Sequence, residues 1–586
     1  MKSGIIRIFL LFLLTTGSAL FVAAQDESFS ELRVADVFTD HMVLEKDVDI
    51  PIWGVDTPGT KVKVSIAGQA LSATTDKDGK WKLVAAPLKE TGPFQMEVES
   101  ESGKRVFKDI LCGEVWIFAG DAVISRPIGK SAVAKEGSPA GNQIRIFNVP
   151  RQFAKFPHDG IRSKWAICNP GSDDRIPAIP YYFAQEIQGK TNLPVGIVLC
   201  SVPGSISEAW ISREGVNSIK DLFFVSDYQN LIQGYELKIS GTYRGLNALS
   251  NINVESYDVK YSGAIKRIQL WAETKEGKNM FKSNADLERW QDKIQDWVDI
   301  SLRSEAQGTP VSEEQRAWPL FIQAAAGVIA DPRTSPTRPM ALFNGMINPL
   351  VPYAVKGVVL WHGETDAGWD RGDSYFNIVT GLIKNWRAIW NKVGAKKGDM
   401  PFVVVQLQDF NGKQNLSCDE CSKIRIAQAL IPGKLANTAT AVTMDLALGE
   451  GASISPDGLK EAGLRIAWSA LGKFYDQEVV YSGPVFESIT SVGGQIKMEF
   501  RSNYGGLIAG KDGKAEKVIG FETANSDRKF IEAEASIDEG SIVIKDTGSI
   551  VAVRYGWVAN SGANLYNKEG LPATPFTANL PLPEKK

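Results

Sequence analysis

The chain carries three histidines, His41, His158 and His362, so imidazole chemistry has few places to reside. His362 opens the stretch His362-Gly363-Glu364-Thr365-Asp366, which follows the apolar run Val355–Trp361. Two carboxylates and an imidazole this closely spaced could run acid–base hydrolysis or bind a cation such as calcium. A second stretch, Gly113-Glu114-Val115-Trp116-Ile117-Phe118-Ala119-Gly120-Asp121-Ala122-Val123-Ile124, reads as a buried strand ending in a glycine-containing turn. An open α/β sheet presents reactive side chains at such a turn. Here the turn offers Asp121 and Ala122, and alanine has no atom that can attack an ester carbonyl.

The elements that must hold these groups are legible as a change of rhythm along the chain. From 25 to 109, short alternating runs such as Lys61–Ser65 and Lys80–Leu83 are punctuated by turns at Asp78-Gly79 and Thr57–Thr60, predicting an N-terminal β-sandwich. Beyond it, apolar runs at Val115–Ala119, Ile144–Val149, Val195–Cys200, Val355–Trp361, Phe402–Leu407 and Ala441–Leu446 alternate with helical patterns at Tyr181–Gln188 and Tyr375–Trp390. Strands buried on both faces and alternating with helices predict a parallel, doubly wound sheet spanning 110–216 and 339–478. Between 217 and 338 the rhythm breaks, and Leu287, Trp290, Ile294, Trp297 and Leu302 mark an amphipathic helix within a mainly helical insertion. From 479 to 586 short β-rich runs return, predicting a second β-sandwich.

Bulk properties narrow the classes. At 586 residues the chain exceeds a single core, so roughly three or four folding units are expected. A net charge of -3 gives no electrostatic reason to bind nucleic acid, and a neutral or weakly charged ligand fits better. Lys2 and Arg7, the apolar run Ile8–Leu14, and Val22-Ala23-Ala24 form a secretory signal cut after Ala24. The mature chain is therefore expected to be secreted or periplasmic, with no membrane association after cleavage. Of the five cysteines, Cys418 and Cys421 could close a short local disulfide, whereas Cys112 and Cys200 read as buried apolar groups. No second C-x-x-C accompanies the pair, so neither a metal nor another cofactor is expected.

Several stretches resemble the sialate O-acetylesterase family, secreted carbohydrate esterases of the SGNH hydrolase class. Phe38-Thr39-Asp40-His41-Met42-Val43-Leu44 is similar to the family's F-S-D-H-M-V-L, and Gly113–Ile124 to its G-E-V-W-L-C-S-G-Q-S-N-M. Leu342–Leu350 and the segment from Val553 to Ala573 follow the family pattern too. The resemblance implies a flavodoxin-like SGNH hydrolase domain between the two β-sandwiches, with Asp121, Gly204, His362, Glu364 and Asp366, together with Ser125, Ser453 and Ser455, converging on a cleft that takes a glycan. It also implies four catalytic blocks, and this chain departs from the family in each. The nucleophilic serine is replaced by Ala122. In the oxyanion loop W-G-G-T-P-I-E-A-W, here Val202-Pro203-Gly204-Ser205-Ile206-Ser207-Glu208-Ala209-Trp210, Gly204 is retained but Pro203 removes a backbone donor. Q-G-E-S-N becomes His362–Asp366, placing a carboxylate where an asparagine amide should donate. D-x-H-P becomes Ser453-Ile454-Ser455-Pro456, without the base or its orienting acid. Loss of one oxyanion donor alone costs on the order of 10²–10³ in rate.

The expectation is a catalytically inactive relative that binds an acetylated or plain glycan. Two alternatives stand beside it: an active glycan O-acetylesterase whose displaced nucleophile is served by His362, and a structural module with no glycan ligand. His41 is expected to be structural.

Overall fold

The computed structural model describes residues 31–129, 143–154, 156–169, 175–219, 336–394, 399–408, 418–446, 454–502, 504–557 and 562–580. The expected signal segment, nearly all of the 217–338 stretch with Trp290 and Trp297, and Ser453 lie outside them. The described residues form a mixed α/β structure with several sheets, and no helix among them is long and apolar enough to cross a membrane.

One strand organises the whole. β1 (Gly103–Gly120) pairs antiparallel with Phe94–Ser100 along its first half and lies at the centre of a parallel sheet along its second. The change of partner falls at a bulge where Met96 faces Phe107 but Phe94 faces Ile110, with Asp109 at φ 53°. The Asp109 carboxylate is held by His41 Nδ1 at 2.7 Å and Arg145 Nη2 at 3.0 Å, so His41 ties the N-terminal strands to the sheet.

The sheet continues through β2 (Ile144–Asn148), β3 (Trp165–Ile167), β4 (Val195–Ser201), β5 (Gly357–Trp361), β6 (Phe402–Val405) and β7 (Thr438–Ala441). Its order is β3-β2-β4-β1-β5-β6-β7, parallel throughout except for the edge strand β3. The chain thus builds outward from β1 first on one side and then on the other, which makes the carboxyl end of β1 the switch point where ligands bind in such sheets.

Alternation along β1 feeds both faces. Trp116 and Phe118 pack with α1 (Ala178–Thr191) and the long helix Pro456–Phe474, while Val115, Ile117 and Ala119 join the core that includes the helix Gly372–Lys392. On that last helix Ile378, Leu382, Trp386 and Trp390 are all buried, as their spacing predicts. The indole N–H groups of Trp386 and Trp390 donate to the carbonyls of Trp210 and Tyr353, so these tryptophans are satisfied core residues.

The last predicted strand is displaced. The sheet uses Thr438–Ala441 and not Ala441–Leu446, whose Met444–Leu446 segment forms a 3₁₀ turn. A search for apolar runs passes over Thr438 and Thr440, yet threonine is β-branched and favours extended backbone. The residues after 484 form further antiparallel sheets around Met498, Phe521, Tyr555 and Phe576. Cys112 and Cys200 are buried, whereas Cys418 opens a helix (Cys418–Leu430) and its side chain lies outside the description, as does any bond to Cys421.

Gly120 closes β1 at φ 137°, and a Cβ there would sit 1.8 Å from the Trp361 carbonyl oxygen. Gly120→Ala should therefore lower stability by roughly 3 kcal/mol, read as a fall in the urea unfolding midpoint with unchanged slope.

Candidate functional site

The four blocks do converge. Past Gly120, the Asp121 amide donates to the Trp361 carbonyl at 2.9 Å and the Val202 amide donates to the Gly120 carbonyl at 2.9 Å, so the loops after β1, β4 and β5 are stitched side by side. Arg126 Nη1 donates to the Ile454 carbonyl at 2.8 Å, drawing in the segment that ends at Ser455.

At the nucleophile position Ala122 begins a 3₁₀ turn, and the nearby Ser125 hydroxyl donates to the Ala122 carbonyl at 2.9 Å while accepting from Ser201 Oγ at 3.1 Å. Where the family pattern has its base, the Ser455 hydroxyl accepts from the Gly458 amide at 3.1 Å. It caps the helix Pro456–Phe474, with Pro456 in the first turn. That residue type is chosen well for starting a helix and has no proton-transfer role there.

The groups after β5 depart from the sequence expectation. His362 and Asp366 do not line a cleft: they are 1% and 0% exposed. Asp366 belongs to the short helix α2 (Glu364–Gly368) and lies 3.0 Å from His362 Nδ1 through its Oδ2. Ser207 Oγ donates to the same oxygen at 3.1 Å. On the other side of the ring, His362 Nε2 stands 3.2 Å from Ser205 Oγ. Ser205 accepts from the Trp210 indole at 3.1 Å and donates to the Val202 carbonyl at 3.1 Å, which leaves it only acceptor capacity toward the ring. The assignment that satisfies every partner gives His362 a proton on both nitrogens, an imidazolium paired with a carboxylate. The electrostatics agree in direction. Burial alone would push the imidazole down, but the hydrogen bond and charge of Asp366, aided by Asp121 and Glu208, leave it raised. Burial would push Asp366 up, and the bond and charge of His362 hold it down.

Ser205 and Ser207 are site residues whose types alone do not mark them in the sequence. The available signal was joint change: against the family pattern a threonine has become Ser205, an isoleucine Ser207, a glutamine His362 and an asparagine Asp366, and these residues bond to one another.

Asp121 is the buried carboxylate nearest the lost nucleophile, 3% exposed, with Oδ2 lacking a partner among the described residues. Burial pushes it up to about 6, His362 opposing this and Asp366 adding to it. The backbone N–H of Gly204, the surviving family oxyanion donor, acts on this carboxyl as well and opposes the effect of burial. Glu364, half-buried, is pushed up to about 8 by burial and then by the charge of Asp121. Glu208 is buried beneath and paired with Arg371 at 2.6 Å. No group of three or more His, Cys, Asp or Glu among the described residues is arranged to hold a metal ion.

Two measurements follow from these charges. His362→Gln should cost about 3–5 kcal/mol by leaving Asp366 buried without its cation, and adding Asp366→Asn should recover most of it. Equal losses in the single and double variants would refute the pairing. For Asp121 the folded value of about 6 lies above the ordinary 3.8, so its ionisation opposes folding as pH rises through that interval and fully above it. Asp121→Asn should match the parent near pH 4 and exceed it by on the order of 1–3 kcal/mol at pH 8 in urea unfolding. A parent more stable than the variant at pH 8 would contradict the isolation of this carboxylate.

No family model matches the chain. In sequence it is 23% identical to the Mus musculus sialate O-acetylesterase, across 94% of this chain and 94% of that protein. It is 23% identical to the Homo sapiens sialate O-acetylesterase, across 93% and 92%. In structure it matches a carbohydrate acetylesterase from Xanthomonas citri with a TM-score of 0.67 and 23% identity, across 93% of this chain and 99% of that one. The likeness therefore extends over the N-terminal strands, the parallel sheet and the C-terminal sheets together, and the chain is similar to sialate O-acetylesterases along nearly its whole length.

Proposed function

We propose that this chain is an exported SGNH-type carbohydrate esterase relative, with a β-sandwich on either side of its parallel sheet, that has given up triad catalysis and binds glycan at the switch point of that sheet. The observation that carries the reading is the coincidence of position and chemistry. The blocks that should form a triad meet in space, yet the nucleophile position holds Ala122 and the base position holds the helix-capping Ser455. The oxyanion loop adds to this, because its Gly204 N–H acts on the Asp121 carboxyl, and an anion beside a forming oxyanion raises the barrier.

The second reading, a working esterase with a displaced nucleophile, draws on a specific geometry. Ser205 Oγ, His362 and Asp366 stand in the order of a Ser-His-Asp triad, at 3.2 Å and 3.0 Å. Against it, Ser205 is 0% exposed and its hydroxyl proton is directed at the Val202 carbonyl, while a doubly protonated ring cannot accept that proton. The first reading is favoured on these grounds.

The two part company in a single assay, the hydrolysis of an aryl acetate by the mature chain alongside its Ala122→Ser, Ser453→Asp, Ser455→His variant. The mature chain should be indistinguishable from buffer and the triple variant should gain turnover. Turnover by the unaltered chain that vanishes on His362→Gln, with the fold intact by circular dichroism, would establish the second reading in place of the first.

A further inference from the structure

A second concavity lies well away from the switch point. A cavity of about 650 Å³ opens where Phe156 and Pro157 meet residues 340–343 and the C-terminal end of the helix Gly372–Lys392. At a rise of about 1.5 Å per residue, Ile389 in its wall stands roughly 25 Å along that helix from Gly372, the end that follows the His362 block. Its lining is mostly apolar. Met340, Val351, Ile389 and Val393 pack against the main core on one side and stay partly open on the other, and Phe343 is the buried part of the wall. Met340 is held at φ 65°, a left-handed backbone that a residue other than glycine adopts at a cost. The loop bearing Phe156 is tied down on both sides of it. The His158 amide donates to the Asn344 carbonyl at 2.9 Å, and Asn344 Nδ2 donates to the Ala154 carbonyl at 3.2 Å, so the concavity is formed in advance of any ligand.

The polar groups of the lining are of two kinds. Its amides are used within the wall: Asn385 is bonded to Ser212 through both ends, at 3.0 and 2.9 Å, and Asn348 Nδ2 donates to the His158 carbonyl at 3.0 Å. Its charges, Arg213, Glu214 and Lys392, stand exposed at the edge. Glu214 is the one carboxylate among them. It is held below its ordinary range first by its own backbone N–H and the Ser212 hydroxyl, then by the charges of Lys392 and Arg213. Neither Arg213 nor Lys392 makes a salt bridge among the described residues, and a third cation, Lys82, donates to the Val393 carbonyl at 2.9 Å. Positive charge is therefore in excess beside an apolar hollow.

We infer that this cavity binds an amphiphile with an apolar body and a single carboxylate head, a medium-chain carboxylic acid being its simplest form, the body covering Met340, Val351, Ile389 and Val393 and the head meeting Arg213 and Lys392. The size and lining suit a small molecule, whose sites run to about 300–1,000 Å³ and are apolar apart from a few groups that fix orientation. The body removes from water the apolar surface that the fold leaves half open. The head supplies the anion that the single, already bonded Glu214 does not, and a guanidinium matches a carboxylate with two parallel N–H groups. A sugar suits the cavity less, because its hydroxyls need directed polar partners and the amides here are already used. A cationic head would be repelled by Arg213, Lys392 and Lys82. The site is separate in place and chemistry from the glycan-binding reading and does not depend on it.

Titration calorimetry on the full mature chain at pH 7.5 tests this with two probes of equal tail and opposite head, decanoate and decyltrimethylammonium. Decanoate should bind at a single site and at least about tenfold more tightly than the cation, which is about 1.4 kcal/mol. The double variant Arg213→Gln, Lys392→Gln should lose that preference. Ala388→Trp, at an exposed helical position in the lining, should fill the cavity and abolish decanoate binding with the urea midpoint unchanged. Absence of decanoate binding to the parent chain, or equal binding of the two probes, would overturn the inference. Decanoate binding that survives Ala388→Trp, or a preference that survives the double variant, would place the amphiphile elsewhere on the molecule and overturn it as well.

Discussion

The approach of Gly120 to the Trp361 carbonyl determines where the rest of the site can stand. Because no Cβ fits there, the backbone leaving β1 passes directly over the end of β5, and the Asp121 amide is delivered to that carbonyl. Asp121 is thereby turned inward beside the Gly204 loop, and His362, the residue after Trp361, is carried beneath it. The same close packing explains why so many ionisable groups are dehydrated together. Strand ends separated by the ordinary sheet spacing bring their following side chains within a few ångströms of one another, and water is excluded between them.

Dehydration makes the pairing of charges decisive. A buried imidazolium and carboxylate stabilise a fold only when each satisfies the other, and here two serines complete the remaining bonds. The result is a polar knot inside the loop region where an esterase needs open donors. Replacement of donors by a self-contained ion pair also explains why the changes occur as a set: a histidine, an aspartate or a serine introduced there singly would be left with an unmatched polar group. Asp121 and Glu364 stand outside that knot and make no side-chain salt bridge among the described residues.

Much of this was legible beforehand. The alternation of apolar runs with helical spacing located β1, β2, β4, β5 and β6 and the helix over Tyr375–Trp390, which the structure extends to Gly372–Lys392. The threonine-rich strand Thr438–Ala441 escaped because its burial depends on sheet neighbours and not on its own hydropathy. At the site, the missing nucleophile at Ala122 could be read from residue type alone, since alanine has no reactive atom in any setting. The roles of His362 and Asp366 could not. Whether a carboxylate faces a cleft or an imidazolium depends on groups such as Ser205 and Ser207, more than 150 positions away along the chain.

The length of β1 carries a consequence for how the molecule comes apart. Its first half is held by Phe94–Ser100 and its second by β4 and β5, and between them, past the bulge at Asp109, Leu111–Gly113 pairs with Val43–Glu45 of the N-terminal portion. A strand shared in this way has no hinge at which the N-terminal strands could peel off while the site stays intact. Tension applied to the N-terminal portion would be transmitted along one continuous strand to Gly120. An accessory region attached by a flexible linker can be lost or exchanged as a cassette; this one is spliced into the centre of the sheet, so opening at one end loosens the register at the other.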